Sequence, residues 1–298
     1  MVARVRKATI GGITRPVDLL SGSTELLWSE EFTGSGLSLA TDSGGGTWRT
    51  KGYEAGGSLA TGYTDFAGSS WNVSPTQHPS NFPVTVGGSV LTITAKRNPG
   101  LSGVTNDWIG AYLVTNHLTG LHWRFGYFEW RARFPVAARG MFPALWLFNN
   151  IAGRSDGKEG AEIDMFEVFG DPTGQPWASG WHNNPTPGVS GNAGYFPTDT
   201  AGWHRYGVEW TSSKIAWYKD GAQVAQLTGA NAEWFATADL GIRINYAMDP
   251  NWLSSGDPNK STSLDPTSGV EPRLEVDYVR VYNHKPGNLA TGSDDPGP

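Results

Sequence analysis

The chain has 298 residues, 28 Asp and Glu against 22 Lys and Arg, and no cysteine. The net charge of -6 argues against a nucleic-acid or anionic-membrane partner, which needs a basic footprint, and the lack of cysteine excludes disulfides, a thiolate nucleophile and Cys-ligated zinc. Charged residues make up only 17%, beside 40 Gly, 19 Pro and 14 Trp, a balance that suits many short strands joined by turns.

Residues 1–24 show no periodicity and are expected to form an N-terminal surface segment. Arg4, Arg6 and Lys7 are followed by no apolar stretch of the kind an intact leader carries. No apolar run reaches the roughly 18 residues that span a bilayer. Strand-like runs then follow in order: 26–32 (LLWSEEF), 89–96 (SVLTITAK), 108–116 (WIGAYLVTN), 126–134 (GYFEWRARF) and 142–148 (FPALWLF). After them come 161–169 (AEIDMFEVF), 177–182 (WASGWH), 203–210 (WHRYGVEW), 214–218 (KIAWY), 240–247 (LGIRINYA) and 274–282 (LEVDYVRVY). Many alternate at period two and hardly any segment has a helical period, which predicts an all-β sandwich. Lys219-Asp220-Gly221 reads as a hairpin turn before AQVAQL. The stretches 52–82 and 250–272, rich in Gly, Ser, Thr, Asn and Pro, read as long functional loops, and 284–298 as a tail or linker. The tryptophans have two readings, filling a core or offering flat faces to sugar rings.

The segment Glu162-Ile163-Asp164-Met165-Phe166-Glu167 is the most telling one. On a regular strand Glu162 and Asp164 share a face with Phe166, and Glu167 points into the apolar layer, which costs several kcal/mol. A β-bulge at Met165-Phe166 returns Glu167 to the face of the other two acids. The outer two are then roughly 13 Å apart at Cα, and inward-leaning side chains can close their carboxylates to about 5–5.5 Å, the spacing of retaining glycosidases. A solvated acidic stripe and a calcium site of three carboxylates are the competing readings, and the surrounding apolar and aromatic runs weigh against the stripe.

EIDMFE resembles the bulged Glu-x-Asp-x-x-Glu signature of glycoside hydrolase family 16, in its laminarinase-like branch. LLWSEEF, FGYFEWRARFP, GMFPALWLF, GWHRYGVEWTSSKIAWYKDG and LEVDYVRVY resemble further blocks of that family in the same order. The resemblance implies a jelly roll of two antiparallel sheets with a concave substrate cleft, formed by a single catalytic domain over 25–283. It implies Glu162 as nucleophile, Asp164 as assisting acid and Glu167 as acid/base. Trp146 matches a sugar-stacking tryptophan, His182 a histidine beside the acid/base, and Asn245 an asparagine of the LNLA-like strand. A structural calcium is implied at the Asp277 side chain with the carbonyls of Glu31 and Gly88, and a base partner for Asp277 is the competing reading.

The chain departs from that pattern in the cleft. Phe142 stands where members often have tryptophan, Tyr112 follows Gly110-Ala111 where many have a Ser-Gly-Arg strand, and Asp249-Pro250-Asn251-Trp252 replaces a Gly-Gly turn. Phe142, Tyr112 and Trp252 are therefore candidate substrate contacts. The expected function is retaining endo-hydrolysis of a β-linked polysaccharide, first β-1,3-glucan, by a secreted monomer needing no cofactor for catalysis. The alternatives are another polymer, such as a galactan or bacterial exopolysaccharide, or transglycosylation. A non-catalytic carbohydrate-binding sandwich would be marked by loss of one Glu, and both are present.

Overall fold

The structure, a computed structural model, describes residues 23–41, 44–51, 59, 61–64, 70–134, 141–149, 160–169, 177–183, 191–197, 202–248 and 271–287, with backbone alone at 141, 168–169, 177–183 and 191–197. Its strands in chain order are β1 (Leu26–Glu30), β2 (Trp48–Arg49), β3 (Tyr63–Thr64), β4 (Ser70–Asn72), β5 (Val84–Gly87) and β6 (Val90–Thr94). Next come β7 (Lys96–Arg97), β8 (Trp108–Thr115), β9 (Gly126–Arg133), β10 (Met141–Asn149), β11 (Glu162–Phe169) and β12 (Trp177–Asn183). The last are β13 (Gly191–Pro197), β14 (His204–Trp210), β15 (Lys214–Lys219), β16 (Ala222–Thr228), β17 (Leu240–Met248) and β18 (Arg273–Tyr282). One α-turn, α1 (Ala230–Glu233), follows β16.

All eleven runs expected to be extended are strands. The stretch 52–82, expected to be irregular, contains β3 and β4, and β4 pairs in parallel with β8. Two- and three-residue strands carry no alternation of their own, so only the neighbour they pair with makes them visible. The expected loop 250–272 lies almost entirely outside the described residues.

Two sheets make the sandwich. One runs β16-β15-β14-β9-β18-β6-β5, with β1 also on β18; the other runs β13-β12-β11-β10-β17-β8-β4-β3, with β2 and β7 also on β8. Alternation decides what lies between them. From the first sheet Leu91, Ile93, Phe128, Trp130, Val208, Trp217 and Val279 point inward; from the second, Leu113, Leu145, Leu147, Ile163, Ile242 and Ile244 meet them. Full burial of a side chain of this kind stabilises by about 1.5–3 kcal/mol, so the inward positions hold the sheets together. The turn between β15 and β16 is the two-residue Asp220-Gly221, with φ of 49° and 80°. Both central residues are left-handed, the type I′ geometry whose twist suits a tight hairpin. Asp220 keeps the turn by accepting from the Arg205 amide at 2.9 Å and pairing with His204 at 2.7 Å.

Candidate active site

The acids sit on β11, third strand from the β13 edge of the second sheet, between β10 and β12. Against β10 the register runs Phe148–Glu162, Leu147–Ile163, Trp146–Asp164, then Leu145–Phe166 and Ala144–Glu167. Met165 is the extra residue, so β11 bulges there and its face assignment resets. Ile163, Met165 and Phe166 are all buried in the core. Phe166 is held there by Phe134 and Tyr206, with ring centroids 4.9 and 4.6 Å away. Glu162, Asp164 and Glu167 lie opposite Phe148, Trp146 and Ala144, which belong to a separate outward cluster with Tyr63, Tyr112 and Val114. A bulge thus places three carboxyl groups on the face turned away from the core.

Their environments differ. Asp164 is 2% exposed, and burial pushes its carboxyl well above the carboxylate range. The charges of Glu162 and Glu167 and a hydrogen bond shared with Glu162 push the same way, while Arg243 opposes them. Asp164 Oδ2 is buried with no hydrogen-bond partner, which a neutral acid tolerates far better than an anion. Protonated, Asp164 donates to Glu162. Glu167 is partly buried and is pushed up to about 8, first by desolvation and then by the charge of Glu162. At neutral pH one end of the row is therefore a proton donor.

Arg243 was not among the sequence candidates. It lies on β17 opposite Trp146 and Val114, is 1% exposed, and places its guanidinium 4.2 Å from the Phe148 ring, 4.8 Å from Trp146 and 5.4 Å from Tyr112. It also reaches the Asn149 carbonyl at 3.4 Å. The available signal was a single base inside LGIRINYA, a strand otherwise free of charge. A charge is buried only where other groups compensate it, and here three ring faces and the Asn149 carbonyl do so, while its field opposes the rise of the Asp164 carboxyl.

Asn245, the next outward residue of β17, accepts from Trp146 Nε1 at 2.6 Å. The Trp146 ring is also held edge-on by Tyr112 and Phe148, at 6.1 and 5.7 Å. Asn245 therefore orients Trp146 from beneath. Trp146 is 7% exposed, Tyr112 5% and Phe142 1%, so the last two are floor rather than open surface. His182 lies in β12 opposite Ile163, but its side chain, and all of Trp252, fall outside the described residues.

The expected calcium position gathers Asp277, Glu31 and Gly88. β1, which leads into Glu31, and β6, which follows the Gly88 turn, both pair with β18, so the topology gathers the three residues. Asp277 is the extra residue of a bulge in β18. Its carboxylate accepts from Arg131 Nη1 at 2.7 Å, and the Glu31 side chain is taken up by Arg280. A guanidinium on the one carboxylate of the set opposes a divalent ion, so calcium would have to displace Arg131 from Asp277 to bind there. Among the described residues no cluster of three or more His, Asp or Glu is placed to hold a metal.

A two-sheet sandwich whose strand β11 bulges to present two glutamates and an aspartate on one face has the carboxylate pair that a glycoside hydrolase needs. The family model of glycosyl hydrolases family 16 matches residues 72–263. A β-glucanase of Rhodothermus marinus is 28% identical over 87% of this chain and 85% of its own length. The endo-1,3-1,4-β-glycanase EglC of Rhizobium meliloti is 31% identical over 86% of this chain, which spans about half of that relative's length (51%). Among solved structures, the laminarinase of Rhodothermus marinus superposes with a TM-score of 0.62 at 25% identity, covering 87% of this chain and 97% of that one. The chain belongs to glycosyl hydrolases family 16, and its sandwich is the jelly roll of the laminarinase structures.

Proposed function

We propose that this chain is a secreted endo-β-glucanase that cleaves β-1,3-linked glucan with retention of anomeric configuration. The observation that carries the reading is the bulged strand, which brings Glu162, Asp164 and Glu167 to one face with Glu167 protonated at neutral pH. Glu167 gives its proton to the leaving glycosidic oxygen while Glu162 attacks the anomeric carbon, forming a glycosyl-enzyme. Glu167, now ionised, takes a proton from water, which displaces Glu162. Asp164, neutral and donating to Glu162, keeps a second full charge from building up beside the nucleophile and orients it. Trp146, opposite Asp164 and set by Asn245, is the aromatic ring assigned to stack on the sugar. The polymer is too large to enter a cell, which is the reason for placing the protein outside it.

The relatives' names, β-glucanase, laminarinase and endo-1,3-1,4-β-glycanase, support a β-glucan. A second reading keeps the mechanism and changes the polymer, to a galactan or bacterial exopolysaccharide; buried Phe142 and Tyr112, at two of the substituted cleft positions, favour it. Incubation with a panel of polysaccharides, with products resolved by chromatography and anomers followed by proton NMR, tests both. Internal cleavage of laminarin with the β-anomer formed first is expected. An inverted product, or near-normal cleavage by Glu162→Ala or Glu167→Ala, would overturn the assignment.

A further inference from the structure

The bulge leaves backbone groups of β11 without their usual ladder. Toward β12 the pairing breaks between Ile163 and Val168, so four residues of β11 face three of β12, Ser179 to Trp181. A backbone carbonyl freed inside a protein needs another donor. For the Asp164 carbonyl a donor comes from the opposite sheet. Trp217, on β15, is fully buried in the core, and its indole Nε1 donates across the sandwich to the carbonyl oxygen of Asp164 at 2.6 Å. Trp217 faces Val208 on β14 and Ala225 on β16, so its own strand is clamped on both sides.

The bond is not a general habit of this core. Trp130 and Trp210, on the same sheet and equally buried, have indole nitrogens with no hydrogen-bond partner. A buried indole N–H is thus tolerated here without an acceptor, and only Trp217 reaches the acid strand. The carbonyl it holds belongs to the residue just before Met165, the extra residue of the bulge.

We propose that Trp217 is a positioning residue for the reaction: by holding the Asp164 carbonyl it fixes the bulge, and with it the placement of Glu167 relative to Glu162. The inference rests on the assignment of those two glutamates as the reacting pair. Displacements of about 1 Å in such a pair cost up to about a hundredfold in rate, while the distant sugar contacts that set binding are unchanged. Loss of the indole donor should therefore appear in kcat rather than KM.

The test compares Trp217→Phe with Trp210→Phe and Trp130→Phe, which remove the same ring volume and a nitrogen that bonds nothing. Each is assayed on the polysaccharide that the wild-type chain cleaves, with kcat expressed per folded molecule from near-ultraviolet dichroism at the assay temperature. Trp217→Phe is expected to lose roughly ten- to a hundredfold in kcat with KM within about twofold, and to shift the basic limb of its pH profile. The two controls should keep kcat within about twofold, with a similar drop in melting temperature. The positioning role is overturned if Trp217→Phe keeps kcat within about twofold, or if the controls lose as much. It is equally overturned if Trp217→Phe fails to fold while the controls fold, since the indole then serves folding alone. Glu162→Ala and Glu167→Ala, run alongside, separate the two levels. Inactive glutamate variants with an active Trp217→Phe remove only the positioning role, whereas active glutamate variants remove the assignment beneath it.

Discussion

Glu167→Gln should make the protein more stable in alkali while disabling it. Folding raises the Glu167 carboxyl from about 4.3 in the open chain to about 8. Between those limits the folded chain binds a proton that the unfolded chain has released, so this group's contribution to stability falls as pH rises through the window and levels off above it. A gap of about 3.7 pK units at about 1.36 kcal/mol each sets a ceiling of about 5 kcal/mol. Solvent at the partly exposed carboxyl brings the expected figure to about 2–3 kcal/mol. For a domain of this size that is about 5 °C in Tm. Gln keeps the shape and cannot ionise, and every titrating group that does not feel the Glu167 charge cancels in the comparison. Calorimetry of both proteins from pH 4 to 9 should show the variant's advantage near zero at the acid end and about 5 °C above pH 8. An advantage that is flat with pH, or that shrinks as pH rises, refutes the claim that this carboxyl is held protonated by the fold. In the wild type kcat/KM should fall about tenfold per unit above pH 8, and kcat of the variant should fall about a hundredfold or more on polysaccharide. Its loss should be smaller on an aryl glycoside whose leaving group needs no proton.

The charge of Glu162 contributes to the Glu167 shift, so in Glu162→Gln carbon-13 NMR of the Glu167 carboxyl should show titration moved down by about 1 unit or more; an unmoved midpoint assigns the shift to burial alone. Asn245→Ala strips the acceptor from the Trp146 indole, which should destabilise by about 1–3 kcal/mol and raise KM, read by denaturant melts and laminarin kinetics. Arg243→Met removes the cation that opposes the Asp164 shift, so the pH profile should change as well as the melt; a stability loss with an unaltered profile would make Arg243 a packing residue only. Melting in calcium and in chelator should give equal Tm if Asp277 keeps Arg131, and a calcium-dependent rise of several degrees would show that the ion displaces it.

Legibility in the sequence followed the range of the interaction. The bulge could be inferred because it reconciles two local requirements within six residues: acids outward, Met165 and Phe166 inward. The alternating runs were readable for the same reason, each declaring its own buried face. Arg243 and Trp217 were not readable as site residues, since their roles come from partners far along the chain. The Trp217 bond spans 53 positions and joins opposite sheets, and Trp217 reads in KIAWY as one more apolar residue. Asp277 shows the same dependence on range. Its motif matched a calcium ligand, yet the guanidinium on β9, 146 positions away, is what its carboxylate meets.

The order in which the three acids give up protons follows from their placement. Charges two residues apart on a strand, about 6.6 Å, repel by about 2.5 kcal/mol at an effective dielectric constant of 20, close to 2 pK units. A row of three cannot ionise together near neutrality, and burial decides which members stay neutral. Asp164, nearly sealed and flanked on both sides, is first; Glu167, displaced along the strand by the bulge and partly exposed, is second. Both shifts are raised by the charge on Glu162, so the proposed proton donor and the proposed nucleophile are coupled through one electrostatic interaction. The bulge therefore does two things at once. It returns Glu167 to the outward face, and by inserting Met165 it lengthens the path from Asp164 to Glu167 without lengthening that from Glu162 to Asp164, so the neutral aspartic acid shares its hydrogen bond with Glu162 rather than Glu167.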